Sequence, residues 1–224
     1  MLDNERHKDA GVSVTSLIAV FVGSMAVIGL IVFLVLSAIT DAPTQQTTYA
    51  PRSDGIRVIE PPRPVMDFTL PSQTGEPLSL SDLRGQHVVI FFGYTGCPDV
   101  CPITISEMKQ AHALLGDKAD DVAFLFISVD PTRDTPERLT RFLAMRDVDD
   151  YMLAMQGDDV TLARITPDYA LYYKRYEQEA DANGYYVVDH TANSYVIDPQ
   201  GRMMGIIPYG TASDVVVDYL SENL

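Results

Sequence analysis

Two cysteines stand four positions apart in the segment Thr95-Gly96-Cys97-Pro98-Asp99-Val100-Cys101-Pro102, and the 224 residues contain no others. A bridge closing so short a loop would restrain little chain entropy, so stapling is a poor reason for the pair. Thiolates held close together suit a soft metal, Cu(I) or Zn(II), or a cycle between dithiol and disulfide. Pro102 cannot donate the amide that a continuous helix from Cys97 would need. The pattern therefore predicts a regular helix beginning at Pro102, with Cys101 as its N-cap and Cys97 in the preceding tight turn. Amide donors and the positive end of the helix dipole would favour thiolate there, stabilising that of the capping Cys101, and lower the cysteine pKa.

A C-x3-C pair alone is a weak signal, and a metal site needs further donors. Four histidines are available: His7, His87, His112 and His190. His7 precedes the apolar N-terminal run, across the membrane if that run spans it. His87 begins a buried strand at the end opposite the cysteines. His112 falls about three turns along the helix after Pro102, on an expected surface. His190, in Val188-Asp189-His190-Thr191 between two strand-like runs, is placed where a loop could meet the cysteines. Residue pattern alone leaves it either a ligand or a hydrogen-bonded loop histidine.

The elements that must position these groups follow from apolar periodicity. Val88 to Tyr94 and Val122 to Val129 are continuous apolar runs of strand length, as expected for strands buried on both faces. The first of them delivers Cys97 and Cys101 to its carboxyl end, where functional groups gather in such sheets. Asp67 to Leu80 reads as a β-hairpin with its turn at Thr74-Gly75. Helices are expected from Pro102 to about Leu115, from Pro136 with Thr135 as N-cap, from Asp159 to Ile165 with Pro167 interrupting, and from about Ser213. Short strands are expected at Met152–Met155, Tyr172–Tyr176, Tyr185–Val188, Tyr195–Asp198 and Met203–Pro208. Strands alternating with helices, then a terminal hairpin and helix, indicate an α/β sandwich with a mixed sheet. Met152, Met155, Met203 and Met204 lie on expected strands and read as core rather than as a second Cu(I) site.

The N-terminal part has a different character. No charged residue occurs from Ala10 to Thr40, and Leu17 to Ile39 is nearly all apolar. At helical rise such a run spans about 35 Å, enough for a hydrocarbon core with some tilt. A cleaved signal peptide would have a shorter apolar region and a better small-residue site than SAITDA. Arg6 and Lys8 flank the N-terminal end, while the next basic residue is Arg52, which places the N-terminus in the cytoplasm and the remainder outside. The expected organisation is a cytoplasmic segment over 1–14, a transmembrane anchor over 15–40, a Pro/Thr/Gln-rich linker over 41–65 and a single domain over 66–224. The geometry is that of a single-pass inner-membrane protein with its domain on the periplasmic side. With 16 basic and 31 acidic residues the formal net charge is −15. Such a surface repels nucleic acid, so no nucleic-acid role is expected.

Over about residues 66 to 223 the chain resembles the Sco/SenC family of copper chaperones. The resemblance rests on Phe91-Phe92-Gly93-Tyr94-Thr95, Cys97-Pro98-Asp99-Val100-Cys101-Pro102, Ser128-Val129-Asp130-Pro131-Thr132-Arg133-Asp134-Thr135 and Val188-Asp189-His190-Thr191. The second and fourth motifs in this order are highly specific together. The resemblance implies a thioredoxin-like fold behind one N-terminal anchor, with Cys97, Cys101 and His190 binding one copper ion, Cu(I) or Cu(II). It also implies a metallochaperone rather than an enzyme. It would be loaded by an unidentified copper donor and would help to build the copper A centre of cytochrome c oxidase subunit II. Two thiolates and one imidazole leave an opening for a partner's ligand, so copper could pass by ligand exchange. Asp130, Arg133 and Asp134 read first as a turn and a capped helix, and only second as a docking surface.

The competing reading is an extracytoplasmic thiol–disulfide oxidoreductase of the TlpA/ResA type, in which Cys97 and Cys101 would be redox-active. Those proteins carry C-x2-C and a cis-proline before the strand matching Tyr195–Asp198. Here the spacing is C-x3-C, no proline lies between Asp189 and Asp198, and His190 arrives instead. A peroxiredoxin would require P-x3-T-x2-C, which residues 91 to 97 do not supply.

Overall fold

The computed structural model describes residues 25, 27–34, 48–51 and 55–224. It divides into two compact units, 1–46 and 47–224. Within the first, residue 25 and residues 27–34 are helical and exposed. The remainder of the expected anchor, and His7, lie outside the described residues, among which no helix is long and apolar enough to cross a membrane.

The second unit is built on a seven-stranded sheet of order β1-β2-β11-β10-β5-β6-β7. Its strands are β1 (Thr48–Pro51), β2 (Arg57–Pro64), β5 (His87–Gly93), β6 (Val122–Ser128), β7 (Met152–Gln156), β10 (Ser194–Ile197) and β11 (Arg202–Ile207). β5, β6 and β7 pair in parallel, and the other neighbours are antiparallel, giving the expected mixed sheet. Every residue of β5 and β6 is buried, because helices and loops cover both faces. Alternation along β5 sends Val89 and Phe91 into one core and Val88, Ile90 and Phe92 into the other. The first core packs against α1 (Val100–Leu115), α2 (Pro136–Ala144) and α4 (Ser213–Ser221). The second packs against α3 (Asp159–Tyr169) and the hairpin of β3 (Thr69–Pro71) and β4 (Pro77–Ser79). Its turn runs as expected through Thr74 and Gly75, whose φ of 85° suits glycine. Met152, Met155, Met203 and Met204 are all buried in these cores, as expected.

Three expectations need correction. Residues 57–64, read as linker, form the full strand β2, which pairs with β11 and buries Ile59. Pro61, Pro62 and Pro64 disguised it, yet one edge of β2 is paired only over Arg57–Glu60, so prolines are tolerated beyond. Pro167 does not interrupt α3, which continues to Tyr169. It falls in the last turn, where only one amide bond is forfeited, and Thr166 Oγ1 donates to Leu162 O at 2.6 Å. Finally, α1 begins at Val100 with Asp99 at the N-cap, so Cys101 and Pro102 both lie in its first turn. Proline fits anywhere in that turn because amides there have no intrahelical acceptor to lose.

Candidate metal centre

β5 ends at Gly93 against the carboxyl end of β6, where Val129 N donates to Gly93 O at 2.8 Å. The chain then turns sharply, with Cys97 N donating to Tyr94 O at 3.2 Å, and enters α1. Cys101 is wholly buried and Cys97 half-buried. A Cβ added at Gly93 would stand 2.6 Å from Cys101 Sγ and 2.9 Å from the Phe126 ring. Gly93 is therefore the residue that lets Cys101 lie flat on the strand, a role its place in the FFGYT motif did not reveal. Gly93→Ala is expected to lower Cu(I) affinity about tenfold with the far-ultraviolet spectrum preserved, since overpacking of this kind costs about 1–3 kcal/mol. Competition with a Cu(I) chelator measures it.

His190 comes from a separate ribbon formed by β8 (Tyr173–Arg175) and β9 (Val188–His190). It was expected in a loop, but it ends β9 opposite Tyr173. Beside it, Thr191 N donates to Tyr172 O at 2.8 Å and Tyr172 N to Thr191 Oγ1 at 2.9 Å, which closes the ribbon. The imidazole lies edge-on to Phe91 and Tyr94, with ring centroids 5.9 and 6.0 Å away. Its Nδ1 is 3.1 Å from Thr191 O. A carbonyl can only accept, so Nδ1 carries the proton and Nε2 is left with a free lone pair. That lone pair faces Cys101 Sγ at 3.6 Å.

Cys97, Cys101 and His190 thus present one donor atom each, all within 4.8 Å of one another. Among the described residues this is the one group of three or more His, Cys, Asp or Glu side chains so arranged. His87 is buried at the opposite end of β5, and His112 stacks on Tyr151 with centroids 3.6 Å apart, so neither approaches the cysteines.

The electrostatics of the pair are asymmetric, and in the reverse sense to the expectation. The hydrogen bond from Cys101 Sγ, together with the backbone amides of Cys101 and Asp99, holds the Cys97 thiol down to about 3 despite its burial. The Cys101 amide lies 3.5 Å from Cys97 Sγ. The helix N-terminus therefore stabilises the thiolate of Cys97, not that of Cys101. Cys101 is pushed up, first by its hydrogen bond to Cys97 and then by burial. The two shifts are opposite and share one hydrogen bond, so the pair favours one thiolate beside one thiol.

The turn that carries Cys97 is fastened from beneath by Asp134. This buried carboxylate accepts hydrogen bonds from Thr95 N at 2.8 Å, Thr95 Oγ1 at 2.5 Å and Ser128 Oγ at 2.6 Å. Asp130, equally buried, pairs with Arg133 and accepts from Tyr186 Oη at 2.6 Å. Arg133 in turn lies 3.5 Å over the Tyr186 ring and donates to Tyr186 O at 2.9 Å. These residues tie β6 to the cysteine turn and to the ribbon bearing His190. The structural reading of the Asp130–Asp134 motif holds, and it extends to alignment of the three donors.

The family model described as SCO1/SenC matches residues 58–224. An SCO2-like protein of Rickettsia prowazekii is 32% identical over 137 residues, which cover 61% of this chain and 65%, just under two thirds, of that protein. The human mitochondrial SCO1 homolog is 33% identical over 143 residues, 61% of this chain and 45% of its own length. The copper-bound structure of Bradyrhizobium japonicum ScoI aligns with a TM-score of 0.63 at 33% identity, covering 72% of this chain and 99% of that one. Copper-bound yeast Sco1 aligns with a TM-score of 0.64 at 26% identity, covering 72% and 88%.

Proposed function

This chain belongs to the SCO1/SenC family, and from that premise we propose that it is a copper chaperone whose cargo is held by Cys97, Cys101 and His190. The observation that carries the reading is the convergence of two sulfurs and the free Nε2 within 4.8 Å at the end of β5. Soft thiolate donors select Cu(I), and the imidazole broadens the set toward Cu(II). One thiolate is already ionised, so a cuprous ion displaces only the proton on Cys101. Cys97 and His190 are both partly exposed, so an incoming ligand can replace one of them while the buried Cys101 retains the ion.

We assign the receiving partner as cytochrome c oxidase subunit II, at its copper A centre. The domain would face the extracytoplasmic side from a single N-terminal anchor, with a separate donor loading the site. Support for the topology comes from the charge-free run over 10–40 and the basic residues before it. The test is a Cys101→Ser strain grown with limiting copper. Loss of copper A content, restored by wild-type chain, is the expected result. Normal copper A content would reject the assignment.

One observation favours a second activity at the same sulfurs. A half-buried, ionised Cys97 beside a buried protonated Cys101 is the arrangement of an attacking thiol and a resolving thiol. We infer that the copper-free dithiol can also reduce a disulfide on the copper-accepting protein, becoming the Cys97–Cys101 disulfide as two electrons pass to the target.

A further inference from the structure

On a domain so rich in carboxylates, the positive charges that lack partners are informative. α2 exposes Arg138 and Arg141, followed by its C-cap Met145 and by Arg146, and the open groove beside them has a volume of about 490 Å3. Phe142 and Thr95 are among its lining residues, Thr95 lying two positions before Cys97. Arg138 is the one cation of the groove in an ion pair, with Asp134 at 3.8 Å, and its Nε donates to Thr95 Oγ1 at 2.7 Å. Among the described residues neither Arg141 nor Arg146 is in an ion pair. Arg146 lies 3.7 Å over the Phe142 ring and donates to Phe142 O at 2.8 Å, which fixes its guanidinium at the groove wall. Against these three arginines the groove lining holds one carboxylate, Glu137, which is hydrogen-bonded to Thr135, while the neighbouring Asp147 pairs with Lys109. Met145 is 76% exposed at the rim.

We propose that this groove docks an acidic segment of the protein that exchanges copper with Cys97. Arginine forks recognise carboxylates, and two unneutralised ones beside an exposed thioether suit a chain bearing both acidic and apolar side chains. An open groove of this volume, rather than a closed pocket, fits a peptide segment better than a small anion. Its lining includes Thr95, two residues from Cys97 and hydrogen-bonded to the same Asp134 that fastens the cysteine turn. A partner held there would present its own ligands to the exposed side of the site. Opposite charge at such a site raises the encounter rate more than it deepens affinity. The identity of the partner rests on the copper-chaperone reading, whereas the capacity to bind an acidic chain does not.

The test uses the full chain in detergent, with a short synthetic Asp/Glu-rich peptide and inorganic phosphate as probes, against Arg141→Glu and Arg141→Lys. Arg141 touches neither cysteine nor Asp134, so Cu(I) affinity should be unchanged in both variants. Peptide binding is expected to weaken about tenfold in Arg141→Glu at an ionic strength of about 0.01 M, to persist in Arg141→Lys and to converge among all three near 1 M. Equal peptide binding by wild type and Arg141→Glu overturns the proposal, and so does phosphate binding that displaces the peptide completely. Transfer from the copper-loaded chain to the copper A domain of cytochrome c oxidase subunit II is the second arm, with the same loss of rate expected in Arg141→Glu. Failure of wild-type chain to transfer at all would count against the chaperone reading, while the peptide arm would still decide the groove.

Discussion

Cys97→Ala and Cys101→Ala should each lower Cu(I) affinity by at least about a thousandfold, equivalent to about 4 kcal/mol. Each removes one of only two sulfur donors, and neither loss has a substitute nearby. The methionines that could have supplied a thioether are buried in the cores as Met152, Met155, Met203 and Met204. Loss of His190 should act differently. Two thiolates still satisfy Cu(I), so His190→Ala should weaken Cu(I) by only about ten- to a hundredfold while nearly abolishing Cu(II) binding. The comparison is made by chelator competition for Cu(I) and by absorption titration for Cu(II). An equal penalty for Cys101→Ala and His190→Ala toward Cu(I) would contradict the roles assigned to them.

The second large effect is in the pH dependence of thiol reactivity in reduced, copper-free protein. A group whose folded pKa is depressed keeps its charged form until the pH falls through that depressed value. Cys97, held down to about 3, should therefore react with iodoacetamide at a rate nearly independent of pH from about 5 to about 8. An ordinary thiol near 8.5 would accelerate about tenfold per pH unit over that range. The largest cause of the depression is the hydrogen bond from Cys101, so Cys101→Ala should restore much of the ordinary slope. Mass spectrometry of the alkylated peptide gives both profiles. A steep profile in the wild-type chain would remove the basis for an ionised Cys97, and with it the reductase activity inferred for the copper-free dithiol.

Much of this site can be read from residue types and order. The buried runs Val88–Tyr94 and Val122–Val129 have no alternative to central strands, and one of them leads directly into the cysteine segment. The pairing of His190 with Cys101, 89 positions earlier, is a long-range contact that only the resemblance supplied, because nothing local distinguishes His190 from a hydrogen-bonded loop histidine. The placement of the thiolate was misjudged for a physical reason. Pro102 marks the first turn of a helix but does not say which of its positions it occupies, and a shift of two residues moved the amide donors from Cys101 to Cys97. β2 was hidden because Pro61, Pro62 and Pro64 look like linker, although its edge facing β1 is unpaired beyond Glu60, where they fall. Gly93 and Asp134 stood in recognisable motifs, but their contacts with Cys101 and Thr95 depend on how strands β5 and β6 end side by side.

The account turns on all three side chains holding one ion. The most direct measurement is a copper titration of the full chain and of His190→Ala, followed by absorption and by metal analysis after desalting. One copper per wild-type chain is predicted, with a thiolate-to-Cu(II) charge-transfer band that His190→Ala lacks. Unchanged stoichiometry, affinity and spectrum in His190→Ala would contradict it.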